Sequence, residues 1–201
     1  MTFLLAGHET TSNGLSWALY SLAKNPHIQD LLREELVKAF PDKSKFNPTF
    51  DEINSLEYLN CIIKETLRLY PPVTVTLRSN IEDQVFGEHF IPKNTPIIIP
   101  FVALHRLPSI WGPTADEFVP KRWLDPPSIQ GISNYNYLPF STGLRSCIGS
   151  KLALNEIKIL LSLLVRNFVF QTVEGFQIKK KVGFLSKVDP HLELIVTNVE
   201  A

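Results

Sequence analysis

Apolar positions recur at helical spacing through roughly the first third of the chain, then give way to short runs and turn-forming residues. Thr2–Lys24 reads as a helix that stops at Asn25-Pro26, with the asparagine as N-cap and the proline in the first turn of the next helix. Residues 26–40 are amphipathic: Leu31, Leu32, Leu36 and Phe40 share a stripe, while Asp30, Arg33, Glu34, Glu35 and Lys38 are expected to face water. A polar loop with Pro41 and Pro48 leads to a short helix near Asp51, and residues 56–70 read as a further helix ended by Pro71-Pro72. Residues 73–77, 84–86, 90–91 and 96–99 then look like strands, with Gly87-Glu88 at a hairpin tip. Residues 108–136 are rich in Pro, Trp and Ser and predict an ordered irregular segment. Helix returns over 148–167, and strands are expected at 169–173, 182–185 and 192–196. The class is mainly α with small antiparallel β-sheets.

Composition changes this picture little. The 201 residues suffice for one sizeable domain, and 44% hydrophobic with 20% charged residues is a globular balance. Twenty basic and twenty acidic residues cancel, so no net field draws in nucleic acid, and none is expected as a partner. Cys61 and Cys147 show no disulfide spacing, which favours a reduced compartment. Neither a signal peptide nor the roughly 20-residue apolar run of a membrane span is read in the chain.

The chemistry concentrates in three places. The first is Phe140-Ser-Thr-Gly143-Leu-Arg145-Ser-Cys147-Ile148-Gly149. By itself a lone cysteine in a turn is most often a buried apolar residue. Here Cys147 precedes a helix, whose unpaired amides favour a thiolate, and Gly143 and Gly149 would let a planar group approach the backbone. Arg145 could meet a carboxylate of the same ligand, and Phe140 could cover the sulfur. The second is Glu65-Thr-Leu-Arg68, alone no more than a solvated i, i+3 pair, with Arg122 downstream in Phe118-Val-Pro-Lys-Arg122-Trp123. The third is Ala6-Gly7-His-Glu9-Thr10-Thr11, where an acid and an alcohol share the stripe of Leu5 and Ala6.

Together, in this order, these motifs resemble the cytochrome P-450 superfamily, and the resemblance covers essentially the whole chain. It implies the C-terminal half of that fold: residues 1–201 as a single partial domain comprising a truncated central helix, the Glu-x-x-Arg helix, the irregular segment, the cysteine loop, the last helix and C-terminal hairpins. The style of the motifs is similar to the eukaryotic microsomal branch, which places the parent enzyme at the endoplasmic reticulum membrane. The implied activity is a haem-dependent monooxygenase inserting one oxygen atom of dioxygen into a small, lipophilic organic substrate. Haem b would be the cofactor, Cys147 its axial metal ligand, and a flavoprotein reductase would relay electrons from reduced nicotinamide. Carried over residue by residue, Glu9 and Thr10 are a proton-delivering pair. Ala6 and Gly7 pass over the haem; Arg78 and Arg145 pair its propionates; Phe140, Gly143, Ile148, Gly149 and Ala153 line it. Glu65, Arg68 and Arg122 form a buried structural triad. Val73, Thr74, Val75, Thr76, Phe184 and Leu185 line the substrate. His105-Arg106 resembles a family stretch that continues with aspartate, where this chain has Leu107; Leu144 and Leu152 stand where proline and phenylalanine are common. Two other readings stay open: a truncated, non-catalytic product, and a haem-free interaction module.

Overall fold

In the computed structural model the described residues are 2–42, 45–124, 132–176, 178–183, 185–189 and 191–199. Four long helices carry the core: α1 (Thr2–Lys24), α2 (Pro26–Ala39), α4 (Glu57–Leu69) and α7 (Ser150–Asn167), with the short α3 (Phe50–Ser55) between α2 and α4. Their apolar stripes meet in one cluster: Ala18 and Leu22 from α1, Leu32 and Leu36 from α2, Leu59, Ile62 and Leu67 from α4, and Ile157, Leu161 and Val165 from α7. Each such side chain taken out of water stabilises the fold by about 1.5–3 kcal/mol. α1 and α7 approach closely at Gly14: a Cβ built there would stand 3.0 Å from Ile157 Cδ1, so a side chain there would require the isoleucine to give way.

Charged side chains of α2 work across the helix ends. Glu35, expected to face water, is half-buried and accepts the backbone N–H groups of Tyr58 and Leu59 at 2.7 and 2.9 Å, capping the N-terminus of α4. Arg33 is also turned inward and donates to the carbonyls of Val165 and Phe168 at 3.0 and 3.1 Å, at the end of α7. Asn25 does not cap α2; its amide donates backward to the Ser21 carbonyl at 2.7 Å. The capping function appears instead at α3, where Thr49 and Glu52 form a reciprocal capping box.

The sheets are small and antiparallel. β1 (Val75–Ser79) pairs with β4 (Pro96–Pro100), aligning Leu77 with Ile98, and β2 (Gln84–Phe86) pairs with β3 (His89–Ile91) around Gly87 at φ 60°. β5 (Phe168–Thr172) pairs with β8 (Leu194–Asn198), and β6 (Lys179–Val182) with β7 (Ser186–Asp189). Of the strand expected over 182–185, Val182 ends β6 and Leu185 forms a β-bridge just before β7, while Phe184 lies outside the described residues. The apolar run after β4 leaves the sheet as a short helix, α5 (Phe101–Leu104), and the expected irregular segment begins with another, α6 (Pro108–Trp111). That segment also holds a 3-10 turn (Pro120–Trp123), and its residues 125–131 lie outside the described residues.

Candidate functional site

Glu65 and Arg68 sit one turn apart on α4 and are both fully buried, and Arg122 from the 3-10 turn reaches them at 3% exposure. Arg68 Nε donates to Glu65 Oε2 and its Nη2 to Oε1, both at 2.9 Å. Arg122 Nε donates to Oε1 at 2.8 Å, the backbone N–H of Val119 to Oε1 and Trp123 Nε1 to Oε2, each at 2.9 Å. The remaining guanidinium protons are placed on backbone carbonyls. Arg68 donates to His105 at 2.8 Å, to Glu117 at 2.9 Å and to Ala115; Arg122 donates to Thr114 at 2.9 Å. A carboxylate with five donors and two arginines holding five carbonyls, the fifth that of Trp111 at 3.5 Å from Arg122 Nη1, makes a cross-link between α4 and the irregular segment. Aromatic rings close over it: Trp111, Trp123 and Tyr137 are mutually packed, with the Arg68 guanidinium 5.1 Å over the Trp111 ring. Burial pushes the Tyr137 phenol far up, reinforced by the Glu65 charge.

The cysteine loop descends from this cluster. Phe140 packs its ring on the helical core while its carbonyl accepts the Cys147 N–H at 2.9 Å, closing the loop at its base. Gly143, at φ 71°, opens a 3-10 turn (Gly143–Arg145) in a conformation that a β-carbon would strain. Cys147 is a free, exposed thiol; Leu144, Ile148 and Leu152 beside it are 105%, 91% and 65% exposed. Gly149 is the N-cap residue of α7, and a Cβ built on it would lie 3.9 Å from the Cys147 sulfur, in ordinary contact. Ala153 is half-buried and bonded through its N–H to the Gly149 carbonyl at 2.9 Å. Arg145 is exposed on the same loop. The second cysteine contrasts with this: Cys61 is buried in α4, and burial pushes its thiol up to about 11. Among the described residues no group of three or more His, Cys, Asp or Glu side chains could hold a metal ion. The donor set at the loop is thus one thiol, ringed by exposed apolar side chains and glycines, which fits a flat apolar macrocycle with a single protein ligand.

On α1, Thr10 Oγ1 donates to the Ala6 carbonyl at 2.6 Å, and Asn13 Nδ2 donates to the Glu9 carbonyl at 2.7 Å. Ala6 and Gly7 are exposed, Glu9 and Thr10 half-buried, and a Cβ built on Gly7 would meet nothing within 4 Å. Arg78 on β1 is half-buried and folds back on its own strand, donating to Thr76 Oγ1 and the Leu77 carbonyl at 2.8 Å. Val73 forms a β-bridge with Leu185, and Ser186 N–H donates to the Pro72 carbonyl at 2.8 Å, so segments 73–76 and 183–186 meet. Thr74, fully buried, donates from Oγ1 to the Gly183 carbonyl. Val75 and Thr76 are half-buried on β1; Phe184 lies outside the described residues.

His105, which the sequence marks only as part of the His105-Arg106 stretch, takes a role in this cluster that the sequence does not assign to it. It is fully buried, its carbonyl takes the Arg68 bond, and its Nε2 accepts the Leu138 N–H at 2.8 Å. The only signal was its place beside Arg106, which bonds the Leu69 carbonyl at 2.7 Å and Asp116 at 2.6 Å. Leu107 simply precedes α6, 42% exposed.

Comparison with known proteins identifies the family. The family model for cytochrome P-450 matches residues 1–195. The chain is 39% identical, over 94% of its length, to the cytochrome P-450 monooxygenase sphH of Aspergillus fumigatus. Against cytochrome P-450 3A9 of Rattus norvegicus it is 39% identical over 96% of its length, and against a 3A cytochrome P-450 of Sus scrofa 38% over 96%. Each match spans 38% of the relative, so the chain covers about two fifths of the length of these proteins. With the motif loop, the helical fold and a family match over nearly the whole chain in agreement, the chain belongs to the cytochrome P-450 family.

Proposed function

We propose that the protein is a haem-b monooxygenase in which Cys147 is the axial ligand and residues 1–201 form one part of the haem domain. The observation that carries this reading is the free, exposed thiol of Cys147, set in a loop closed by the Cys147–Phe140 backbone bond and surrounded by exposed Leu144, Ile148 and Leu152. Haem, when bound, supplies the redox-active iron that activates dioxygen for transfer of one oxygen atom to an organic substrate. The chain's own residues do the rest. Cys147 donates its sulfur as thiolate; Gly143 and Gly149 keep the backbone slim beside it, and Ile148 and Ala153 present apolar surface. Arg145 and Arg78 offer cations to the propionates, Arg78 after releasing its bonds to Thr76 and Leu77. On α1, Gly7 leaves room above the ring with Ala6 beside it. Thr10 Oγ1 donates to the Ala6 carbonyl, which leaves its oxygen to accept a hydrogen bond. To pass its proton on, the hydroxyl would turn from that carbonyl and take a replacement proton on the same oxygen, with Glu9 as the acid one residue away. Val73–Thr76 with Phe184 and Leu185 would line the substrate side, and their aliphatic members suit a lipophilic molecule. A flavoprotein reductase would deliver electrons from reduced nicotinamide. The parent protein would sit at the endoplasmic reticulum membrane; no helix among the described residues is long and apolar enough to cross one.

The test is optical. The purified protein, reduced and exposed to carbon monoxide, is expected to show the strongly red-shifted Soret band of thiolate-ligated haem, and Cys147→Ser to lose it. Persistence of that band in Cys147→Ser overturns the ligand assignment. Absence of haem uptake by the wild type supports the haem-free module instead.

A further inference from the structure

Two buried systems lie on either side of His105. Behind it stands the Glu65 cross-link, which ends on the His105 carbonyl through Arg68 Nη1 at 2.8 Å. In front lies the segment that enters the cysteine loop; Tyr137 ties it to α4 through its hydroxyl on the Lys64 carbonyl at 3.0 Å, and the next backbone N–H, that of Leu138, is donated to His105 Nε2 at 2.8 Å. From Leu138 the order passes on: its carbonyl accepts the Ser141 N–H at 3.2 Å, and the Phe140 carbonyl accepts the Cys147 N–H at 2.9 Å. We infer that His105 is a positioning residue for the Cys147 thiolate, its neutral imidazole anchoring the base of the cysteine loop to the Glu65–Arg68 cross-link. This rests on the reading of Cys147 as the haem ligand.

Three observations make the ring an anchor rather than filler. To accept at Nε2 the imidazole must be neutral and carry its proton on Nδ1. The surroundings favour the neutral ring: burial pushes the pKa down to about 4, the Arg68 and Arg106 cations add to it, and nearby backbone of Arg68 and Leu67 opposes only in part, while the buried Nδ1 makes no hydrogen bond of its own. The ring plane is fixed as well, lying stacked 6.4 Å from Phe101, 5.4 Å from Tyr137 and edge-on at 6.5 Å to Trp111. By contrast, Ser141–Gly149 itself holds few internal bonds and is exposed from Thr142 to Ile148. A loop so lightly tied takes its geometry from its base. The chemistry also explains why histidine suits the place. A phenylalanine would fill the aromatic pocket but strand the Leu138 N–H, whereas a glutamine can present an acceptor where Nε2 stands.

The experiment compares wild type, His105→Phe and His105→Gln in the haem-loaded, full-length protein by amide hydrogen exchange across 138–147 and by the stability of the ferrous carbon monoxide band. Losing one buried acceptor should speed exchange of the Leu138 amide by roughly tenfold or more in His105→Phe. It should also speed conversion of the red-shifted Soret band to the unshifted form. His105→Gln should stay near wild type in both. Equal exchange and equal band lifetime in His105→Phe and wild type overturn the proposal; so does equal damage in both variants, which would mean the ring acts by packing alone. If His105→Phe does not fold, the wild type decides. A Leu138 amide exchanging as fast as Leu144, or an Nε2-protonated ring by nitrogen NMR, overturns the anchor. A wild type without the red-shifted band refutes the Cys147 reading, and the exchange data then judge the anchor separately.

Discussion

Replacing Glu65 by glutamine removes one negative charge and almost no volume, so it isolates the electrostatics of the buried cross-link. The wild-type carboxylate accepts from Arg68 Nε and Trp123 Nε1 on Oε2, and from Arg68 Nη2, Arg122 Nε and the Val119 N–H on Oε1. An amide must turn its NH₂ toward one of these two sets. The less damaging choice faces the Oε2 side and still opposes donors with donors at two bonds. Each is a charge-assisted or buried bond whose loss costs about 1.5–3 kcal/mol. The arginines, at 0% and 3% exposure, keep their carbonyl partners but lose their counter-charge. Breaking a buried pair from one side costs about 3–5 kcal/mol by that route as well. Both estimates converge on about 4 kcal/mol, against a total stability of about 5–15 kcal/mol. At about 2–4 °C per kcal/mol for a chain of this size, the melting temperature should fall by about 10 °C. The assay is a thermal melt by circular dichroism beside haem content per polypeptide by absorbance. Glu65→Ala, which adds a void to the stranded cations, should abolish stable haem incorporation. A Glu65→Gln protein melting within about 2 °C of wild type with full haem would refute the reasoning.

Three further outcomes follow from other sites. Thr10→Val keeps the volume but not the hydroxyl, so haem content and the carbon monoxide band should persist while product formed per nicotinamide consumed falls by about 10²-fold; unchanged coupling would remove Thr10 from proton delivery. Glu35→Ala uncovers the Tyr58 and Leu59 amides at the start of α4 and should cost about 1–2 kcal/mol in urea melts, with a negligible loss counting against the cap. His105 is held neutral with its pKa lowered from 6.5 to about 4, so the unfolded chain gains a proton first as pH falls. Its contribution is therefore whole above about pH 6.5 and lost between there and about 4, about 3 kcal/mol in all; His105→Gln should flatten that part of the pH–stability curve, and an unaltered slope would assign it to other groups.

The helices and most strands were legible because periodicity is a local property. Leu32, Leu36, Leu59 and Ile62 announce buried stripes whatever lies opposite them, and the structure buries them. The limits of an element are less legible: Phe101 and Val102 continue the apolar run of β4 in sequence, yet Pro100 is the last rung of the ladder and the chain turns helical. The motif Glu-x-x-Arg could be found, whereas its reach could not. That Val119 and Trp123 donate to the same carboxylate depends on how the irregular segment closes on α4, a long-range fact that no spacing encodes.

Charged and titratable residues mark the limit most sharply. Arg33 and Glu35 carry the pattern of a solvated face, and both turn inward because helix ends on neighbouring elements leave backbone groups unsatisfied there. Sequence hydropathy counts what a side chain is; burial of a polar group depends on what it can satisfy. The same rule accounts for His105, whose ring nitrogen is buried because the Leu138 amide needs an acceptor. Here the exposed thiol and the buried cross-link divide the labour. On the proposed reading Cys147 stays open to a ligand, so its loop gains nothing from its own burial, and its rigidity would come from the buried polar cluster through the few backbone bonds that join them. In such an arrangement a damaged cross-link should appear first at the loop, so Glu65→Gln should speed Leu138 amide exchange more than that of amides in α2, and uniform acceleration would show that the two sites are not coupled.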